Sequence, residues 1–384
     1  MQGPQSTDTP SIVVSALPDV RIPWAMPPVG REEAEAAREA VATTRLSMGR
    51  SVRKFETAVA EYAGRRHAVA VSNGTDALEL AIRLLGIGPD DEVLVSALSY
   101  IATVNCIVRV GAIPVFCDVV PETLNIDPRD ARSRVTTRTR AMIVADYCGF
   151  AVDYDGIEPL CRDSNIELIV DGAQSIGTTH RGRPALGIGH VATTSFHSAK
   201  IITTGEGGMV LFDDDGLVEL ARRIRGQGEV PGQKYIHDTL GFNHRITDVQ
   251  GAIGVVQMSR LADLLAARAR HAARYHEGLA DLAGVDLVSA MPETTPAWFT
   301  LPILVNDRDL LADELRSLGI ETRSLYPIPT YSQPIPEYPR GVGPLPAAEV
   351  AATRVLNLPL FAQMTDAQID DVLGAVRRFV TRPQ

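Results

Sequence analysis

The sequence predicts an α/β fold in which a mostly parallel sheet is covered by helices, followed by a smaller α+β domain. Between residues 68 and 212, short apolar runs rich in β-branched residues alternate with helical patterns. This alternation is typical of parallel strands joined by crossover helices, with both faces of the sheet buried. An Ala- and Leu-rich stretch without proline follows at 247–279, and the rest of the chain mixes strand and helix patterns. The length of 384 residues allows two or three domains, each with its own core.

Each predicted element of the first domain follows from a local pattern. Apolar runs bounded by turn residues predict strands at 68–72, 92–95, 113–119, 141–145, 167–170, 191–196 and 209–212. Apolar residues at helical spacing predict helices at 31–44, 51–63, 76–85, 101–110 and 154–163. Ligands of parallel sheets bind beyond the carboxyl ends of the strands, so functional residues are expected directly after these strands.

The second domain is predicted to begin after one long helix that runs from Thr247 to Leu279. Later patterns predict strands at 285–288 and 299–305 and helices at 307–318, 347–355 and 366–379. The irregular, Pro- and Tyr-rich stretch at 325–346 has a length more typical of a functional loop. We therefore expect a flexible arm at 1–20, a large domain at 21–265 whose N-terminal helices are free to pack on the small domain, and a small domain at 266–384.

Composition excludes several classes of protein. The net charge of −10 and the isoelectric point near 5.3 argue against a surface for nucleic acid. The cysteines have no zinc-site spacing, so we expect free thiols in a reducing compartment and no metal site; they are Cys106, Cys117, Cys148 and Cys161. Residues 1–20 lack the pattern of a signal peptide, and no apolar run is long enough to span a membrane. These observations predict a cytoplasmic protein that binds neither membrane nor nucleic acid.

Lys200 is the first candidate for catalysis. It lies in SFHSAKIITTGEGG (195–208), between a predicted strand and a glycine-rich turn. A primary amine condenses with aldehydes when partial burial keeps it neutral, and Phe196, Ile201 and Ile202 supply apolar neighbours. On this stretch alone, a lysine that extends from a strand end into solvent is an open alternative.

The stretch SNGTD (72–76) is a candidate phosphate site, because it follows a predicted strand and opens a predicted helix. The N–H groups of Gly74 and Thr75 and the Thr75 hydroxyl could face one phosphate at the positive end of that helix. The alternative is an ordinary helix cap supplied by Thr75.

Two further candidates follow predicted strands. Asp171 comes directly after the apolar run 168–170, and a carboxylate placed there requires a cation or several donors. Tyr100 could lay its ring against a flat heterocycle. The alternatives are a helix-capping aspartate and a half-buried core tyrosine.

Together these features match the requirements of pyridoxal 5′-phosphate. That cofactor has one phosphate to anchor, one ring to cover, one ring nitrogen to keep protonated and one aldehyde to capture. The order of the phosphate site, the aromatic ring, the acid and the lysine along the chain therefore predicts a site for this cofactor.

From about Ile22 to the C-terminal helix, the chain resembles the sugar aminotransferases of the DegT/DnrJ/EryC1/StrS family, which have the aspartate aminotransferase-like fold (type I of the pyridoxal-phosphate folds). The stretches that carry the resemblance are SNGTDAL (72–78), SALSYIAT (96–103), FCDV with NIDP (116–128), DYCGFAVD (146–153), VDGAQSIG (170–177), SFHSAK with TTGEGGM (195–209) and GFNHRITDVQGAIG (241–254). The resemblance implies a large cofactor-binding domain with a mostly parallel sheet and a smaller C-terminal domain.

The resemblance also implies a role for each matching residue. Lys200 would hold the cofactor as an imine and move the catalytic proton, and Asp171 would pair with the pyridine nitrogen. The remaining cofactor contacts would be Gly74, Thr75 and Ser195 at the phosphate, Tyr100 on the ring, and Gln174 beside the phenolic oxygen. Asn243 would reach the phosphate of the partner subunit's cofactor across a homodimer, and its alternative is a turn residue after Gly241.

Three positions depart from the family pattern. Asp146 stands where many relatives have histidine, Tyr100 where phenylalanine or tryptophan is common, and Ile201 where asparagine often follows the lysine. One branch of the family has histidine in place of the lysine and dehydrates its substrate, and Lys200 argues against that branch. The role of His197 is left open.

The resemblance is strongest to members of the perosamine-synthase type. It implies amination of a nucleotide-linked 4-keto-6-deoxyhexose with L-glutamate as donor. Candidate contacts to sugar or diphosphate are Arg225, His237, Arg323, Tyr326 and Tyr331, each of which could equally be a surface or loop-packing residue. The alternatives are amination of a 3-keto sugar or cyclitol ketone, a dehydratase or lyase, and a non-catalytic module that binds the cofactor.

Overall fold

The computed structural model describes residues 20–339 and 341–382, so the arm predicted for 1–20 lies almost entirely outside the described residues. In these ranges the α-helices are, in chain order, α1 (Arg31–Ala42), α2 (Arg50–Ala63), α3 (Gly74–Leu84), α4 (Ile101–Arg109), α5 (Pro128–Ser133), α6 (Tyr154–Ser164), α7 (Leu217–Arg225), α8 (Asp248–Ser259), α9 (Leu261–Leu279), α10 (Arg308–Ser317), α11 (Pro346–Arg354) and α12 (Asp366–Val380). The strands are β1 (His67–Val71), β2 (Glu92–Ser96), β3 (Ile113–Cys117), β4 (Thr139–Ala145), β5 (Glu167–Asp171), β6 (Thr179–His180), β7 (Arg183–Pro184), β8 (Val191–Ser195), β9 (Gly208–Phe212), β10 (Asp286–Leu287), β11 (Thr294–Thr295), β12 (Leu301–Leu304) and β13 (Val355–Leu358).

The central sheet has seven strands in the order β1-β9-β8-β5-β4-β2-β3. The neighbours from β8 to β3 are parallel, and β9 runs antiparallel to both β1 and β8. The prediction of a mostly parallel sheet is therefore confirmed. Because β1, β2, β4, β5 and β8 share one direction, the residues that follow them meet at one edge of the sheet.

Both faces of this sheet are buried. Val69 and Val71 of β1 belong to a core with α3 and α4, while Ala68 and Ala70 face a second core with α2 and α6. Successive side chains of a strand point to opposite faces, so a strand covered on both sides needs an unbroken apolar run. This explains why the apolar runs predicted the strands so well.

The prediction of one long helix at 247–279 is wrong. The structure has two helices, α8 and α9, separated at Arg260. The Arg260 N–H bonds to the Gln257 carbonyl, and its guanidinium contacts Glu33 at 2.7 Å and the Pro28 carbonyl at 3.2 Å. The break follows from contacts with the N-terminal segment, which no local pattern encodes.

A third hydrophobic core unites the C-terminal elements. It contains Tyr275, Ile303, Leu311 and Val376, and it lies beside the antiparallel sheet β10-β12-β13. Ile22, which is 1% exposed, joins this core from the N-terminal side. The domain boundary at 265 stays a prediction, and α9 crosses it without interruption.

Candidate active site

A cavity of about 710 Å³ opens at the carboxyl ends of the sheet strands. Eight of the predicted cofactor or substrate residues line it: Gly74, Thr75, Tyr100, Asp171, Gln174, Ser195, Lys200 and Tyr326. Seven of them are the last residues of β5 and β8 or lie in the segments that directly follow β1, β2, β5 and β8, and the loop after α10 supplies Tyr326. The sheet therefore brings together residues that are far apart in sequence.

Lys200 lies in the turn after β8, where its N–H bonds to the His197 carbonyl at 2.9 Å. Its Nζ is 4.7 Å from the centre of the Phe299 ring. Burial lowers the pKa of Lys200 to about 8, although the nearby Asp171 opposes this shift. A substantial fraction of the amine is therefore neutral near physiological pH and able to act as a nucleophile.

Asp171 is the last residue of β5 and is 6% exposed. Its Oδ2 accepts a hydrogen bond from the Thr103 hydroxyl at 2.7 Å, and its Oδ1 accepts one from the Ala173 N–H at 3.1 Å. Burial raises the pKa of this carboxyl, while the two hydrogen bonds and Lys200 favour its ionised form. A buried carboxylate beside a cavity provides a favourable place for a ligand cation.

The phosphate site lies where α3 begins. The Asn73 side chain, and not that of Thr75, caps this helix by accepting from the Asp76 N–H at 2.9 Å. A Cβ at Gly74 would lie 2.8 Å from the Ser195 Cβ, so glycine is needed for β8 to approach the helix end. The first N–H groups of a helix have no partner within it and attract anions, so Gly74 and Thr75, with Ser195 of β8 beside them, could form a cradle for one phosphate.

Tyr100 and Tyr326 bring two aromatic rings to the cavity, with ring centres 6.4 Å apart. Tyr100 is 60% exposed, which excludes the alternative of a half-buried core residue. The Gln174 Nε2 donates to the Tyr326 hydroxyl at 2.6 Å, and its Oε1 accepts from the Cys148 N–H at 2.7 Å.

The structure does not bring four of the five predicted substrate residues into this cavity. Arg225 is 8% exposed and bonds to Glu56 and to the Ala70 carbonyl, so its guanidinium is engaged inside the chain. The contacts of the others are His237 to the Gln227 carbonyl, Arg323 to Glu321, and Tyr331 to Glu349. Contacts between these four residues and the substrate stay predictions, and the internal contacts described here do not support them.

Asn243 also lies outside the cavity of its own chain. It is exposed, and its backbone pairs with that of Gly226. This placement is compatible with a contact to a second subunit, which stays a prediction.

The sequence patterns missed Thr103 and Phe299. Thr103 lies one helical turn after Tyr100, so its position near the strand ends could have been found from the helix prediction. Phe299 comes from the C-terminal part of the chain, and no local pattern places it beside Lys200. The cavity also contains Asp146, whose burial raises its pKa to about 6.

No cluster of three or more metal-ligating side chains occurs in residues 20–339 and 341–382. In the same ranges no helix is both long and apolar enough to cross a membrane.

These residues fit pyridoxal 5′-phosphate. The glycine-lined cradle suits its phosphate, the exposed Tyr100 ring suits its heterocycle, the buried Asp171 suits its ring nitrogen, and the partly neutral Lys200 suits its aldehyde. The fold and site thus define an α/β enzyme of the class that binds this cofactor through a lysine.

The chain belongs to the DegT/DnrJ/EryC1/StrS aminotransferase family, whose model matches residues 27–377. It is 39% identical to the GDP-perosamine synthase of Caulobacter vibrioides over 94% of this chain and 99% of that protein. It is 34% identical to the dTDP-3-amino-3,4,6-trideoxy-alpha-D-glucose transaminase of Streptomyces venezuelae, again over 94% of this chain and 97% of the relative.

The structure is also similar to that of the Streptomyces venezuelae protein DesV in complex with a ketimine intermediate. The TM-score is 0.88 at 35% identity, with 92% of this chain and 95% of DesV covered. The predictions of the family, of fold type I and of pyridoxal 5′-phosphate as cofactor are confirmed. The protein is a pyridoxal-phosphate-dependent sugar aminotransferase.

Proposed function

We propose that this enzyme transfers an amino group from L-glutamate to a nucleotide-linked 4-keto-6-deoxyhexose. The observation that supports this most is the cavity that joins Lys200, Asp171 and the phosphate cradle, in a chain 39% identical to a GDP-perosamine synthase. The relative's name supports a nucleotide-linked sugar, and the resemblance of the motifs supports the keto position and the donor.

The bound cofactor supplies an electron sink for charge that develops at the substrate carbon. Gly74, Thr75 and Ser195 hold its phosphate, Tyr100 covers its ring, and Asp171 keeps a positive charge at its ring nitrogen. Asp171 performs this task better because Thr103 and Ala173 already stabilise its ionised form.

Lys200 binds the cofactor and moves the proton in both half-reactions. A pKa of about 8 lets the amine accept and donate a proton near neutral pH. The Phe299 ring excludes water from one side of Nζ, which supports both functions.

We also propose a homodimer with a shared active site in the cytoplasm. The segment that ends at Asn243 exposes Tyr235, Ile236 and Leu240, which are 77%, 53% and 74% exposed. Apolar side chains grouped in this way favour a protein interface, and a partner bound there would bring Asn243 close to the second cavity.

A second candidate is amination of a 3-keto sugar. The 34% identity to a transaminase named for a 3-amino sugar favours it. Lys200, which can form an imine, favours either amination over dehydration.

Purified enzyme loaded with cofactor should be offered GDP- and dTDP-linked 4-keto-6-deoxyhexoses and a 3-keto isomer, each with labelled L-glutamate. We expect mass spectrometry to detect labelled nitrogen in a 4-amino product, with one 2-oxoglutarate formed per amino sugar. A product aminated at C3 would establish the second candidate. A sugar product formed without consumption of glutamate would contradict both.

A further inference from the structure

Arg268 is a buried cation without an acidic partner. It lies on α9 and is 2% exposed. Burial lowers its pKa to about 10, and no carboxylate of the described residues opposes this shift. A guanidinium taken out of water without a counter-charge costs free energy, so its surroundings must supply good acceptors. The groups that accept its hydrogen bonds therefore indicate what the side chain does.

Three backbone carbonyls supply these acceptors. The Nη1 atom of the arginine donates to the carbonyls of Trp298 and Phe299, each at 3.1 Å, and to that of Leu360 at 3.0 Å. The first two residues precede β12 and the third follows β13, and these strands pair in antiparallel register. One guanidinium on α9 therefore connects two chain segments at the same end of the small sheet.

The segment before β12 is also held from its other side. The N–H of Phe299 donates to the carbonyl of Cys148, in the turn after β4, at 3.1 Å. Trp298 has φ of 53°, which is the left-handed region that non-glycine residues rarely occupy. Strain of this kind persists where the surroundings enforce it. The turn after β4 and Arg268 together enforce it here.

This backbone places the Phe299 ring against the Lys200 amine. The ring centre is 4.7 Å from Nζ, the Phe299 side chain is 6% exposed, and both residues line the cavity. Trp24 packs edge-on against the same ring, with ring centres 5.9 Å apart. A shift of the backbone at Phe299 would move the ring away from the amine and admit water.

We propose that Arg268 is a positioning residue for the active site, which acts through Phe299 and holds its ring over the Lys200 amine. Arg268 is not among the residues that line the cavity. It bonds instead to the carbonyl of the residue whose side chain covers the amine. The inference rests on Lys200 as the reacting amine, and it does not depend on the amino donor or the sugar proposed above.

The test is the pH at which the Lys200 amine becomes reactive in the full-length, cofactor-free enzyme. Trace acetic anhydride acetylates neutral amines, and mass spectrometry compares the label on Lys200 with that on the exposed Lys54 and Lys234. Burial is the main cause of the lowered pKa of Lys200, which is about 8. Arg268→Met should admit water and raise this midpoint by about 0.5 to 1 pH unit, since the lost attraction between ring and cation is the smaller effect.

The other charged groups around the amine are the same in every variant. Those that share the cavity with it are Asp76, Arg109, Asp146, Asp171, His197 and Glu206. A change in the midpoint therefore reports the ring, the water beside it and the charge of the arginine.

Phe299→Ala separates positioning from a direct effect of that charge. Loss of the Arg268 cation would by itself raise the pKa of Lys200. If Arg268 acts through the ring, Phe299→Ala should raise the midpoint at least as much as Arg268→Met, and the double variant should show no further rise. Rises that add in the double variant would overturn the inference, as would an unchanged midpoint in folded Arg268→Met.

Arg65→Met is the matched control. Arg65 is 8% exposed and also donates to three carbonyls, at the amino end of β8, which are those of Leu186, Ile188 and Gly189. Its midpoint should equal that of the unmodified enzyme, and a rise as large as in Arg268→Met would show a general loosening and overturn the inference. Arg268→Lys keeps a cation on a shorter side chain, so its rise should be smaller. Circular dichroism monitors folding, and Arg268→Lys carries the test if Arg268→Met does not fold.

Discussion

Asp171 and Asp146 are two buried carboxyls at neighbouring strand ends with different partners. Asp171 ends β5 opposite Ala145 of β4, and Asp146 is the next residue after Ala145. They are 6% and 1% exposed, and burial raises the pKa of both. By residue type, position and burial they are nearly equivalent.

Their hydrogen bonds separate their roles. Both Asp146 oxygens lie within 3.1 Å of the Tyr154 hydroxyl, and Oδ1 also accepts from the Val152 N–H at 3.0 Å. Asp146 is thus bound to α6 and the turn before it. Asp171 has one donor at each oxygen and the Lys200 charge nearby, so it can still interact with a cation in the cavity. The partners of a buried acid, more than its place in the sequence, indicate whether it serves the ligand or the fold.

The largest expected effect is a difference in activity between two matched substitutions. Asp171→Asn removes the charge opposite the ring nitrogen and should lower kcat/KM at least a hundredfold or so. Asp146→Asn should lower it less than about tenfold, because the group it changes is engaged with Tyr154 and Val152. Steady-state kinetics with saturating cofactor make the comparison.

Circular dichroism and cofactor content are the controls for these two variants. Equal losses in both would show that the comparison is wrong and that Asp146 also acts on the ligand. Near-normal turnover in Asp171→Asn would remove the role assigned to that residue.

A smaller effect is expected on stability as a function of pH. The pKa of Asp146 is about 6 in the fold against an ordinary value of 3.8, so between these values the native state holds a proton that the unfolded chain has released. The stabilisation of the native state by this bound proton is fully present below pH 3.8, and it is lost as the pH rises through 6. The measured quantity is the free energy of unfolding of the cofactor-free enzyme minus that of cofactor-free Asp146→Asn. This difference should be about 2 kcal/mol smaller at pH 7 than at pH 4.

Urea unfolding at several pH values measures this difference. Asp171 is unchanged in both proteins, so its own pH dependence should largely cancel in the subtraction. A constant difference across the range would mean that Asp146 titrates near its ordinary pKa.

Much of the fold and of the candidate active site is predictable from sequence. The strands of the central sheet are buried on both faces, so each appears as an apolar run, and Asp171 and Ser195 lie at the ends of such runs. Gly74 and Lys200 lie in turns directly after strands, where the geometry of parallel sheets puts ligands. These residues could be predicted because they need only a local apolar pattern and the rule that ligands bind at the carboxyl ends of parallel strands.

The rest depends on contacts between distant segments. The break between α8 and α9 depends on Glu33, and the engagement of Arg225 depends on Glu56. One interpretation of the sequence had Thr75 as the N-cap of α3. The side chain of Asn73 is the cap in the structure, so the Thr75 hydroxyl does not cap the helix. The helix α5 has only six residues, which is too short for a helical period to show. The nine residues of α7 are strongly amphipathic, so their pattern could have predicted that helix.

The central claim is that Lys200 binds the cofactor covalently, and the lysine content of the chain makes this claim easy to test. The chain has three lysines, and the other two, Lys54 and Lys234, are exposed. Enzyme loaded with pyridoxal 5′-phosphate should be reduced with borohydride, digested and analysed by mass spectrometry. We expect one pyridoxyl group per chain, on Lys200, and none in Lys200→Ala. A pyridoxyl group on Lys54 or Lys234, or an undiminished yield in Lys200→Ala, would contradict the account.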